Sequence, residues 1–126
     1  MRESKAESIK RIGKLIETIQ HLTRLVDAAS GTLDSRASLQ WREKIQRVIG
    51  QFDFELRTEL VRLGAQMDFS TTEPDFDFET GLRTALERYE QVLNSVLTAH
   101  TRAMLTRQIG EIRRVREEFA GLRRAA

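Results

Sequence analysis

Two histidines and nineteen carboxylates set the limits of what this 126-residue chain can do chemically. A di-metal site inside a helical bundle takes a carboxylate from each of two helices and a Glu-x-x-His pair from each of the other two. That spacing puts both ligands of a pair on one inward face. No Glu-x-x-His occurs in this sequence. Glu17 and His21, at i and i+4, are spaced to share a metal, but helical projection puts them on the flank away from an isoleucine stripe. The candidate metal ligands are therefore Glu59, Gln108, Glu17 and His21, which fall short of a set. No cofactor is expected, with iron or manganese as the alternative.

Three polar residues project inward on the apolar stripes described below: Thr23, Glu59 and Gln108. A buried carboxylate without a partner costs several kcal/mol or takes up a proton. Glu59 is therefore expected either to reach an arginine or solvent near its helix end, or to meet Gln108 across the core. Its expected role is to fix helix register, with a remnant or small-ligand site as the alternative. His21 supports a second chemistry. Phosphotransfer modules are helical bundles with an exposed histidine followed three residues later by lysine, and here Arg24 stands three after His21. Those modules keep a glycine four after the histidine, where this chain has Leu25. His100 is expected in a turn.

Other chemistries lack their residues. Without cysteine there is no disulfide, zinc knuckle or thiol nucleophile. No glycine-rich phosphate loop or catalytic serine motif is present. Paired carboxylates such as Glu117-Glu118 lie on charged faces. Nothing nominates an enzyme.

The net charge is +2 with 32% charged residues, a mixture typical of solvated helix faces. Residues 66–90 lean acidic, while Arg113, Arg114, Arg116, Arg123 and Arg124 crowd the last stretch. Glu111, Glu117 and Glu118 interleave with these arginines, and Glu117 is expected to pair with Arg113 and Arg114. No stacking series of aromatics accompanies them, so no nucleic acid is expected. No apolar run approaches the roughly 18 residues that span a bilayer. Met1 to Lys14 lacks the apolar stretch of a signal peptide. A cytoplasmic protein with no membrane partner is the expectation.

The elements that must position these residues are legible from helical periodicity. Four amphipathic segments are expected at about 4–29, 35–63, 76–97 and 99–123. The first carries Ile9, Ile12, Ile16, Ile19, Leu22 and Val26 and stops at Ser30-Gly31. Asp34 or Ser35 is placed to cap the second. That helix carries Trp41, Ile45, Val48, Ile49, Phe52, Leu56, Leu60 and Leu63 and ends at Gly64. A connector of about eleven residues follows, with Met67 and Phe69 expected to lie on the bundle. The third segment carries Phe78, Leu82, Ala85, Leu86, Tyr89, Val92, Leu93, Val96 and Leu97. A tight turn near Ser95 to Ala99 precedes the fourth, with Thr98 as N-cap. That last segment carries Met104, Leu105, Ile109, Ile112, Val115, Phe119 and Leu122. Four such helices bury their stripes against one another as a single all-α four-helix bundle. The direction of the third helix relative to the second stays open.

Leu15-Ile16-Glu17-Thr18 in the first helix, Phe52, Glu55-Leu56, Glu59 and Val61-Arg62-Leu63-Gly64 in the second, and Ala85-Leu86, Tyr89-Glu90 and Leu93 in the third recur in one order. Together they resemble a family of small bacterial ferritin-like four-helix proteins of unknown function, over about residues 9 to 123. The resemblance implies a ferritin-like bundle. The chain departs from the family pattern at His21-Leu22, at Gly81-Leu82-Arg83 and at Arg116, where relatives often carry other residues.

The function expected is a non-catalytic structural or protein-interaction module without a complete di-metal site. The alternatives are a divergent metal-binding oxidase or storage protein and a phosphotransfer module using His21. The partner is another protein or a second copy, since Phe54 projects from the polar side of helix two toward a patch with Phe69 or Phe76.

Overall fold

Helix ends in this chain are set by local hydrogen bonding that the sequence supplies. The computed structural model describes residues 5–31, 36–65, 76–95 and 97–125. Four helices occupy them: α1 (Lys5–Gly31), α2 (Arg36–Arg62), α3 (Phe78–Leu93) and α4 (Ala99–Ala125). There is no strand among the described residues. The expected caps Asp34 and Ser35, and Met67 and Phe69 of the connector, lie outside the described residues.

Gly64 terminates α2 with φ +79°, a conformation that a Cβ would strain. The amide of Ala65 bonds the Leu60 carbonyl and that of Gly64 the Val61 carbonyl, each at 2.9 Å. This double closure takes up carbonyls that the helix end leaves without partners. Asp77 caps α3 by accepting from the Thr80 amide at 2.8 Å. Thr98 caps α4 as expected, accepting from the Thr101 amide at 3.2 Å.

The third helix is shorter than the 76–97 expected from periodicity, and its ends explain why. The Asp77 cap delays its start. At the other end Asn94 N–H closes on the Glu90 carbonyl at 3.1 Å and Ser95 N–H on that of Val92 at 2.9 Å. Two guanidinium groups then take the remaining acceptors. Arg11 donates to the Gln91 carbonyl and Ser95 Oγ, and Arg102 to the Leu93 and Ser95 carbonyls. Cations at a helix C-terminus also complement its dipole. His100 lies in the first turn of α4, at the start of the last helix where the periodicity puts it.

Packing follows from the stripes. α1 packs against α2 and α3, and α4 against α3 and α2. The backbones of the diagonal pairs, α1 with α4 and α2 with α3, make no close approach among the described residues. Side chains fill the space between them. At one end of the bundle, the Trp41 ring lies 5.7 Å from Phe78 and 5.5 Å from Phe119, and Phe78 lies 5.2 Å from Phe119.

Cross-helix contacts give the directions. Asp27, late in α1, accepts from Gln46 in the first half of α2 at 2.8 Å. Arg11, early in α1, reaches the end of α3. Both neighbours thus run antiparallel to α1 and parallel to each other. α4 runs antiparallel to both, since Arg123 meets Glu79 at 2.7 Å and Lys44 meets Glu118 at 3.0 Å. The order is up, down, down, up, which resolves the direction left open by the sequence. The end of α2 and the start of α3 lie at opposite ends of the bundle. No helix among the described residues is long and apolar enough to cross a membrane.

At Gly81, α3 packs closely on α1. A Cβ there would lie 2.8 Å from Leu22 Cδ2, and Leu22 is fully buried. Gly110, on the exposed side of α4, has nothing within 4 Å of such a Cβ. Replacing Gly110 by Ala should stabilise the protein by about 0.5–1 kcal/mol through helix propensity. The same change at Gly81 should destabilise it by about 1 kcal/mol, because overpacking outweighs propensity. Urea denaturation of both variants checks this, and an equal gain at both sites would show that Leu22 yields freely.

Candidate functional site

Several polar side chains bond across the side of the bundle where α2 faces α4, beside the Trp41–Phe119 contact. Two hydrogen-bonded clusters lie along this side, one near mid-bundle and one at the end where α2 stops and α4 begins.

The first cluster reaches the centre. Tyr89 of α3 and Gln108 of α4 are both fully buried. The Tyr89 hydroxyl donates to Gln108 Oε1 at 2.7 Å, and Gln108 Nε2 donates to Glu55 Oε1 at 3.1 Å. Arg107 binds the other oxygen of Glu55, which sits at the rim. Burial, reinforced by the nearby Glu55 carboxylate, pushes the Tyr89 phenol well above its usual range. It is a neutral donor, and the amide of Gln108 relays the contact to a half-exposed ion pair.

The second cluster centres on Glu59, which is 5% exposed. Arg62, one turn later, binds both of its oxygens. Thr101 Oγ1 donates to Glu59 Oε1 at 2.8 Å and lies 3.0 Å from Thr98 Oγ1. Glu59 therefore docks the capped N-terminus of α4 onto α2, where the helix dipole also favours an anion. Burial raises its carboxyl pKa, but hydrogen bonds from Arg62 and Thr101, with His100 nearby, outweigh burial and leave it below the usual carboxylate range.

The residues nominated from sequence fare differently. Glu59 and Gln108 are buried as expected, but they do not meet. Glu59 takes the arginine route near its helix end, and Gln108 bonds Tyr89 and Glu55. Thr23 does not project inward. It is exposed, with its hydroxyl returned to the Ile19 carbonyl at 3.2 Å, because its position falls just outside the arc of α1 that two neighbours cover. Glu17 and His21 are half-buried on the flank of α1. The His21 ring packs edge-on against Phe76, 5.7 Å between centroids. Phe76 is thus taken up by α1, not by a patch with Phe54, and Phe69 lies outside the described residues.

Among the described residues no three His, Asp or Glu side chains cluster closely enough to hold a metal ion. The Glu117 pairing expected for the terminal arginines is also replaced. Arg114 pairs with Glu111 at 3.4 Å, Glu118 pairs with Lys44, and Arg123 lies over the Phe119 ring while bonding Glu79.

Sequence reasoning missed Tyr89, Glu55, Thr101 and Arg107. Two signals pointed to them. Tyr89 is a lone hydroxyl in an apolar stripe, and a buried tyrosine usually finds a partner. Glu55 stands one turn before Glu59 on the same flank of α2.

Comparison with family models, with curated proteins and with solved structures finds no match for this chain.

Two measurements test the clusters. Tyr89→Phe strands the buried Gln108 oxygen and should cost about 1–3 kcal/mol. Combined with Gln108→Leu it should cost less than the two single changes added, and strict additivity would show that the bond contributes nothing. Because the Glu59 carboxyl titrates lower folded than unfolded, its contribution is present above the ordinary glutamate value of 4.5 and is lost as pH falls through its folded value. Glu59→Gln should therefore be less stable than the parent at neutral pH, with the gap closing as the pH falls below 4.5. A gap independent of pH would rule out the charge as its source.

Proposed function

We propose that this chain is a ferritin-like four-helix bundle of the bacterial cytoplasm that serves as a structural or protein-interaction module, without catalysis. Its up-down-down-up helix order supports the ferritin-like part of the reading, because in ferritin-like bundles two consecutive helices likewise run parallel. The resemblance in α1, α2 and α3 agrees with it.

The interaction role rests on the outward face of α2. Leu39, Phe54 and Val61 are 54, 65 and 72% exposed there, while the core residues of the same helix are at most 5% exposed. Three large apolar side chains on one face of a single helix, the large ones left exposed among the described residues, are what motivate a contact surface there. Inside the bundle the polar groups are committed elsewhere. Glu55 and Glu59 bond to Arg107, Gln108, Arg62 and Thr101, so a metal would have to displace two arginines.

The rival from another class is a divergent iron- or manganese-binding oxidase or storage protein. The phosphotransfer reading asks for an accessible imidazole at His21, and the packing of that ring on Phe76 counts against it.

Metal content decides between the first two. The untagged protein is measured by mass spectrometry before and after loading with iron(II) and manganese(II). No retained metal is the expected result. Two tightly held equivalents per chain would overturn the non-catalytic reading and make Glu55 and Glu59 the first residues to replace.

A further inference from the structure

The exposed apolar residues of α2 belong to one stripe with an internal symmetry. At 100° per residue, residues 39, 43, 50, 54, 57 and 61 fall within an arc of about 60° on the side away from buried Ile45, Phe52 and Leu56. Leu39 stands eleven residues before Gly50, and Val61 eleven after it. Glu43 stands seven before, and Arg57 seven after. Seven and eleven residues are close to two and three helical turns, so all these positions share the face.

We propose that α2 pairs with α2 of a second copy, antiparallel, about a two-fold axis that passes at Gly50. This deepens the interaction reading above and rests on it. In such a pair, residues equally far before and after Gly50 lie opposite each other. Each Leu39 meets Val61 of the other copy, and each Glu43 meets Arg57. All three large exposed apolar residues of the described chain then find cover, with Phe54 packing one turn from the crossing. Gly50 makes the approach feasible, since its backbone is open to solvent and a Cβ there would meet nothing within 4 Å.

Charge selects the direction. A parallel pair in register would set Glu43 against Glu43 and Arg57 against Arg57, whereas the antiparallel pair sets opposite signs together. Arg57 already bonds Asp53 one turn earlier at 2.9 Å, a surface pair of small energy that tolerates a second carboxylate. The stripe from Leu39 to Val61 is about 33 Å long at 1.5 Å per residue and about 11 Å wide. That is roughly 400 Å² per copy, which places the dimer in the weak, transient class. A two-fold axis also makes the interface closed, so it stops at two copies.

The full chain is tested by sedimentation equilibrium from about 1 µM to 1 mM. A concentration-dependent dimer is expected. Glu43→Arg alone and Arg57→Glu alone should each weaken it at least about tenfold, and the two together should restore it. Because the chain has no cysteine, mixing Leu39→Cys protein with Val61→Cys protein gives an independent readout under mild oxidation. The mixed disulfide should form faster than either homodimer. A monomer at about 1 mM, a dimer indifferent to charge reversal, or equal rates for all three disulfides would each overturn the α2 pairing. A dimer insensitive to all these changes leaves the interaction reading standing on another face. Retained metal would instead remove the reading on which the pairing rests.

Discussion

The fold depends on burying α1 on two sides at once. Ile12, Leu15, Ile16, Ile19, Leu22 and Val26 are at most 1% exposed, and each such side chain contributes about 1.5–3 kcal/mol when removed from water. One neighbouring helix cannot cover so wide an arc. α2 takes one flank and α3 the other, and the close approach at Gly81 lets α3 seat against Leu22. Once both neighbours run antiparallel to α1 they are parallel to each other. The end of α2 and the start of α3 then lie at opposite ends of the bundle, and α4 closes the remaining gap.

That gap is filled in a different way. Where α4 meets α2, hydrogen bonds and ion pairs join the apolar contacts: Glu55 with Gln108 and Arg107, Glu59 with Thr101, Lys44 with Glu118. Hydrophobic burial is non-directional, so several sliding positions of α4 would bury similar area. Hydrogen bonds are directional, and an unmade one in the interior is expensive. The Tyr89–Gln108–Glu55 chain and the Glu59–Thr101–Thr98 chain therefore select one register of α4. The aromatic group of Trp41, Phe78 and Phe119 does the same at the other end by shape.

These demands shape what the protein can do. Interior carboxylates and amides that other bundles use as metal ligands are here tied to arginines, a tyrosine and a threonine, and each tie also holds helices in place. Among the described residues, the large apolar side chains left exposed are Leu39, Phe54 and Val61 of α2.

Much of this was readable from the chain. Helical periodicity is a local property, so the four stripes, the stop at Gly64 and the Thr98 cap follow from residue types at fixed spacing. The burial of Glu59 and Gln108 and the exposure of Phe54 follow from the same projection. Their partners do not. Thr101 is 42 residues from Glu59, and Gln108 is 53 from Glu55, so which groups meet depends on how helices are ordered and slid against each other. Thr23 shows the converse, since a position at the edge of a stripe is buried or exposed according to how far the neighbouring helix reaches. The sequence by itself determined the four apolar stripes, the stop of α2 at Gly64 and the start of α4 at the Thr98 cap. Only the tertiary structure decided that α2 and α3 run parallel, that Glu59 answers to Arg62 and Thr101, and that Tyr89 donates to Gln108. Directional contacts between distant segments exist only after the apolar faces have chosen their neighbours.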